Sequence, residues 1–272
     1  MTGWLLDPHL MRQRSGWSPA RVTLAQLIAL AAPVGVSVAE RGAAQIGVLT
    51  TALVTCLIWE MAFALIRRRA LSWHMATVAL IFTVLAPEAL PLWQVAMAAS
   101  FGVVFGELVF GGRGYGIVPG AAAAAGFLVF SFTGAGLATV SGAMALATLP
   151  GALLLLLGGL ISWRVLVSAV AVLIAFGLAR DGADSLLLVL TTALFGLVFL
   201  VADPVAAAST QPGRLVYGVL AGLLIVLFDT IEGPAIAPAA IVFACLLASL
   251  FAPLIDYLDV KLAVRRREAR HG

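Results

Sequence analysis

The sequence predicts an all-α polytopic membrane protein with about ten transmembrane helices, and three observations carry that expectation. Of 272 residues, 62% are hydrophobic and only 11% charged, where a soluble domain holds roughly a quarter charged residues. Mean hydropathy is +1.11. The basic residues gather in the tails and at the junctions between apolar runs. At roughly 20 apolar residues per crossing, about ten crossings use most of the chain and leave short loops without a separate soluble domain. The organisation expected is a polar tail over residues 1–21, one transmembrane domain over 22–258 and a basic tail over 259–272. The net charge of +3 does not point to nucleic acid, because the cations form no basic face.

The first span is expected at about 22–39, after a tail holding Arg12, Arg14 and Arg21. Ser37-Val38-Ala39 resembles a signal-peptidase site, but a second apolar segment follows almost at once, so the run reads as a retained span. Residues 44–66 form the second span, closed by Arg67-Arg68-Arg69. The positive-inside rule puts both the tail and this triplet in the cytoplasm.

Spans at about 71–86 and 90–109 return the chain to the glycine-rich turn 111–116, and 117–133 crosses outward. Residues 137–150 are rich in small residues and weakly apolar. They are expected at the external surface or as a re-entrant piece held within protein. One helix through 151–179 would set Arg164 at the membrane centre, which is expensive. Two short spans put it at the cytoplasmic edge instead. Spans at about 185–201, 215–230 and 238–258 complete a count of ten, nine being the alternative, and the cluster Lys261, Arg265, Arg266, Arg267 and Arg270 marks a cytoplasmic C-terminus.

The chain is organised around residues 196–220, where an apolar pattern breaks and resumes. Asp203-Pro204 ends the preceding helix, since the residue before proline is driven out of the α region. Ser209, Thr210, Gln211, Pro212 and Gly213 supply the chemistry of a shaped loop, and Arg214 closes it with a fixed charge. An ordinary helix connection would have the same residue types. The third span and its loop, LIFTVLAPEALPLWQ, echo LFGLVFLVADPVAAASTQ. Five spans apart, the two would lie in opposite orientation, the pattern of two inverted five-helix halves around a shared site.

Glu60, Glu107, Asp203 and Asp256 lie in or near apolar runs, and intramembrane carboxylates default to a functional hypothesis. Interfacial pairing with Arg67, Arg113 and Lys261 is the plainer account of Glu60, Glu107 and Asp256. Asp203 has no such neighbour in sequence. Only His74 lies in the helical body, too few histidines for a bis-histidine haem. Residues 111–116, GGRGYG, do not match G-x-G-x-x-G after a strand and read as a tight turn. The pairs Gly102/Gly106 and Gly218/Gly222 read as close helix packing. Cys56 and Cys245, both in apolar runs, read as small buried hydrophobes and not as a disulfide or metal pair.

Three segments together resemble the NqrB/RnfD family, which holds the NqrB component of the sodium-translocating NADH:quinone oxidoreductase and the RnfD component of the Rnf electron-transport complex. They are LPLWQVAMAASFGVVFGELVFGGRG at 90–114, VFLVADPVAAASTQPGRLVYGVLAGLLIVL at 198–227 and LLASLFAPLIDYLDVKLAVRRREAR at 246–270. A weaker match at 159–164 extends the likeness over most of residues 80–270. The resemblance implies about ten helices in two inverted halves, placed in a multisubunit complex of the bacterial cytoplasmic (inner) membrane. It implies flavin-linked electron transfer coupled to Na⁺ or H⁺ movement, with other membrane subunits and lipid as partners and the chain a subunit, not a complete enzyme. The family's D-P loop aligns with Asp203, Pro204, Ser209, Thr210, Gly213 and Arg214, the ion and loop candidates. The family carries FMN through a phosphoester to Thr in an S-G-A-T motif on the outer side; Ser141, Gly142, Ala143 and Met144 hold that place.

Met144 thus stands where the flavin-accepting Thr should be, and residues 114–121 lack the asparagines of the family's N-x-F-N-P-A. A phosphoester needs a hydroxyl oxygen, which a thioether cannot supply. Covalent FMN is not expected here; a noncovalent pocket beside a polarizable Met is compatible with the sequence. The competing class is a small-solute or ion transporter or channel that reuses the same fold without redox chemistry, and a third is a purely structural subunit. Bound flavin would favour the first class, and solute flux without a redox donor the second.

Overall fold

The computed structural model describes residues 18–69, 71–112, 114–132, 134–180, 186–229 and 235–271. Arg12, Arg14, Arg113 and the rest of the tail to residue 17 lie outside the described residues. Among those described, every regular element is helical. Four helices are long and apolar enough to cross a membrane, and five shorter apolar helices accompany them. Leu65, Ile66, Phe130, Leu157 and Leu227 are each more than 70% exposed, which suits a surface facing lipid. The chain is a multi-pass membrane protein.

Helix α1, Pro19–Arg67, starts at Ser18, whose side chain accepts from the Arg21 amide at 3.4 Å, with Pro19 at the first helical position, where its missing N–H is harmless. It is broken at Gly42 (φ 69°, ψ −152°). Only glycine takes that backbone without strain, and a Cβ there would meet nothing within 4 Å, so conformation and not crowding selects it. The chain doubles back there. Gln26, in the first limb, lines a cavity with His74. Arg41 at the break donates to the carbonyls of Val84 (2.9 Å) and Ala86 (3.3 Å). Glu60, in the second limb, then accepts from the Ser72 amide at 2.9 Å. Both limbs therefore run along α2, Met75–Leu85.

Helix α3, Leu92–Val103, continues through a π-helical turn, Val104–Leu108, and α4 spans Gly120–Ser131. With 11 and 12 residues, α2 and α4 are each about 17 Å long, roughly half a hydrocarbon core. Gly102 and Gly106 let α3 meet α4 at backbone distance: an added Cβ would lie 2.5 Å from the Gly120 carbonyl oxygen or 2.6 Å from the Gly120 Cα. Gly218 and Gly222 do the same for α8, Gln211–Phe228, against α6, Trp163–Arg180, at Val165 and Val172. Gly111, Gly112 and Gly114 all have positive φ, as the tight turn requires.

Residues 142–150, expected at the external surface or as a re-entrant piece, are helical. They are the first half of helix α5, Gly142–Leu157, which runs through Pro150. Their weak hydropathy reflects small residues chosen for packing: Gly151 sits against the Ala29 backbone, and a side chain there would push α5 off α1. The expected break in 151–179 is present as Gly158–Ser162, with Gly159 at φ 65°. Helix α7, Leu186–Gly196, also ends in a π turn, Leu197–Val201. The shaped loop is shorter than expected, because α8 starts at Gln211 and takes Pro212, Gly213 and Arg214 into its first turn. Helix α9, Pro238–His271, carries the basic residues from 261 onward without interruption.

Cross-element hydrogen bonds sort the turns into two ends of the bundle. At one end, Arg67 and Arg69 reach the carbonyls of Val109 and Gly111, and His74 shares a cavity with Glu107, Ile161 and Asp203. At the other end of α2, Arg41 holds residues 84–86, and Glu40 accepts from Ser141.

Candidate functional site

Thr210 caps α8, its hydroxyl oxygen accepting from the Gly213 amide at 3.2 Å, as Ser, Thr, Asp and Asn do at helix starts. Asp256 of α9 fastens this cap. Its Oδ1 accepts from the Thr210 amide (3.0 Å) and hydroxyl (2.8 Å), and its Oδ2 from the Ser209 amide (2.8 Å) and hydroxyl (2.8 Å). A carboxylate at a helix N-terminus also sits favourably in the helix dipole. Gly213 is required there, since a Cβ would collide with the Thr210 hydroxyl and come within 2.8 Å of Asp256 Oδ1. Arg214 Nε closes the turn onto the Ala208 carbonyl at 3.3 Å. Interfacial pairing with Lys261 is not what holds Asp256; the Lys261 ammonium lies over the Tyr257 ring.

Asp203 builds its own turn, its Oδ1 accepting from the amides of Val205 (2.7 Å) and Ala206 (3.1 Å). Pro204 lies beside it, and both line a cavity with Gln26, His74, Thr77 and Glu107. Burial pushes the Asp203 carboxyl above the ordinary carboxylate range, against the pull of those two N–H groups and of His74; Glu107 pushes in the same direction as burial. Glu107 reaches this cavity from the π turn of α3, and His74 from the start of α2. His74 Nε2 lies 3.4 Å from Glu107 Oε1. Gly120 clears the approach of α4, since a Cβ there would lie 3.4 Å from the same oxygen.

The degenerate motif lies at the opposite end. Ser141 caps α5, accepting from the Met144 amide at 3.1 Å, and its hydroxyl donates to Glu40 Oε1 at 2.7 Å. Gly142 and Ala143 are exposed, whereas the Met144 side chain is fully buried. Thr148 is buried as well and donates to the Met144 carbonyl at 2.8 Å. These residues do not fit a phosphoester-linked flavin: one hydroxyl serves as a helix cap, another is sealed in the core, and the residue at the motif's fourth position has none.

The structure thus joins Ser209 and Thr210 to Asp256, sets Asp203 and Pro204 beside His74 and Glu107, and separates them all from residues 141–144. Sequence reasoning missed His74 as a partner of Glu107, and Glu40 as a partner of Ser141. Glu107 and His74 were each visible as an ionisable group in an apolar run, but they stand far apart in the chain and only the fold brings them together. Cys56 and Cys245 are free and buried, as expected.

A sequence model described as the NQR2, RnfD, RnfE family matches residues 6–140 and 133–264. The chain is 31% identical to the B subunit of a Na(+)-translocating NADH-quinone reductase from Klebsiella pneumoniae, over 78% of this chain and 65% of the relative. It is 30% identical to the protein of that name from Pseudomonas paraeruginosa, over 83% of this chain and 69% of the relative. To that of Chromohalobacter salexigens it is 31% identical, over 78% of this chain and 64% of the relative. The match spans about two thirds of the length of these relatives.

Proposed function

The chain belongs to the NQR2, RnfD, RnfE family, and from that premise we propose that it is a membrane subunit of an ion-translocating electron-transfer complex, coupling flavin-linked electron flow to Na⁺ or H⁺ movement. The observation that carries the reading is the contact between two of its family-like segments: Asp256 of the terminal segment binds Ser209 and Thr210 of the D-P loop through four hydrogen bonds. Partners are other membrane subunits of the complex and lipid, in the bacterial inner membrane.

Ten crossings follow if α1 counts as two limbs, with both termini cytoplasmic. Residues 1–21 and 259–272 then form the tails of one transmembrane domain over 22–258. The two inverted halves find support in the echo between residues 86–91 and 202–210. The first group adjoins the C-terminal end of α2 and the second shares a cavity with its N-terminal end, so the two lie at opposite ends of the bundle. In this reading Asp203, Pro204, Ser209, Thr210, Gly213 and Arg214 shape the cytoplasmic mouth of the ion path. Any flavin held by this chain is noncovalent, because Met144, at the family's acceptor position, has no hydroxyl. The same departure at Met144 favours the second reading, a transporter without redox work.

The test is to isolate the tagged full chain from native membranes in mild detergent. Co-isolated membrane subunits and a flavin absorbance that bleaches on reduction are expected. A chain that isolates alone, without reducible absorbance, contradicts the proposal.

A further inference from the structure

The pair His74 and Glu107 has a geometry that the proposed ion path does not use. The single proton of the Thr77 hydroxyl is directed at the His74 carbonyl, 2.7 Å away. The same hydroxyl oxygen lies 3.0 Å from His74 Nδ1. Nε2 lies 3.4 Å from Glu107 Oε1. The pair thus sets an imidazole ring beside a carboxylate, with each ring nitrogen facing an oxygen.

That leaves the second carboxylate oxygen. Glu107 Oε2 is buried and has no hydrogen-bond partner among the described residues, on a side chain only 10% exposed. An unmet buried acceptor is costly. It belongs to a residue lining a cavity of about 20 Å³, enough for one water-sized occupant. Among the described residues, the other titratable groups around it are few. Asp203 enters from the α7–α8 loop and senses both His74 and Glu107, and Cys56 of α1 senses Glu107. The stretches of α4 and α5 that line the cavity bring only Pro119, Gly120, Ala121 and Leu155.

We propose that His74 and Glu107 form a proton-binding site, in which one exchangeable proton arrives from cavity water at Glu107 Oε2 and leaves by the same route. Binding converts the carboxylate to a neutral carboxyl, so the site gains one positive charge. A sodium ion suits this place poorly. Hard cations take shells of oxygen ligands, whereas the His74 ring occupies one face, and no group of three His, Cys, Asp or Glu among the described residues could hold a metal. The site does not depend on flavin or on an electron donor, so its fate is separable from that of the subunit reading.

The experiment is infrared difference spectroscopy of the purified full chain across a pH titration, without redox donor, in sodium and in potassium at equal ionic strength. A protonated-carboxyl band is expected to grow on acidification, to be lost in Glu107→Gln and to persist in Asp203→Asn. In His74→Gln it is expected to change position, because the ring nitrogen 3.4 Å from Oε1 is gone. Sodium should not displace it. A band unchanged in Glu107→Gln, a band abolished by sodium, or no titrating carboxyl in the folded protein would overturn the proposal. Gel filtration of both variants establishes folding, and His74→Gln supplies the readout should Glu107→Gln fail to assemble.

Discussion

Asp256 Oδ1 lies 2.8 Å from the hydroxyl of Thr210, the residue that caps α8. Through this contact α9 fixes where α8 begins and therefore where the loop bearing Asp203 ends. Asp256→Ala would leave the amides of Ser209 and Thr210 without their acceptor, at a cost of about 1–3 kcal/mol in stability. Asp256→Asn keeps one acceptor oxygen and should lose less. Thermal unfolding in detergent and hydrogen exchange over residues 202–210 measure both. Equal stability and exchange in all three proteins would remove Asp256 from this role.

Asp203→Asn is expected to impair coupled ion movement while leaving assembly intact, since an Asn oxygen can still accept from Val205 and Ala206. The pH dependence has a definite sign. Burial raises the folded carboxyl above its ordinary value of 3.8, so between the two values the native state holds more protons than the unfolded chain. Stability then falls as pH rises through that window. The Asn variant should lack this decline and be no less stable at neutral pH. Melting temperatures of both proteins across a pH series, beside ion uptake, check both statements.

The native chain is expected to show no flavin fluorescence at its own mass on a denaturing gel, because Met144 has no hydroxyl and is fully buried. Coexpression of Met144→Thr with a flavin transferase is the companion sample. Fluorescence in the native chain would contradict the expectation, and fluorescence in the variant alone would mark the site as the family's, disabled at one residue.

The class of fold was legible because membrane composition is blunt: apolar runs of span length and basic clusters at their ends need no tertiary information. Gly42 was not identified as the reversal, although the gap between the first two expected spans falls there. The helix through residues 142–150 was not legible for a physical reason: hydropathy weighs transfer to lipid, whereas Gly142–Leu157 packs by the smallness of residues such as Gly151 against Ala29. At the site, Asp203 was found through its proline. Asp256 was seen but explained by nearby Lys261, since local spacing cannot reveal a partner 46 residues upstream at Thr210. His74 and Glu107 were hidden for the same reason.

Topology follows from the two ends of the bundle. Single cysteines at residues 115, 160 and 265, in a chain lacking Cys56 and Cys245, should label from the cytoplasmic face, and one at residue 136 from the outer face. A membrane-impermeant maleimide distinguishes the faces. External labelling at residue 265 would break the even count of crossings.

The most direct measurement is donor-driven ion uptake by native inverted membrane vesicles, comparing the native chain with Asp203→Asn under the same reductant. The account predicts Na⁺ or H⁺ uptake that starts with electron flow and is strongly diminished in the variant at equal protein level. Uptake of ion or solute through the chain with no reductant present, undisturbed by Asp203→Asn, would contradict it.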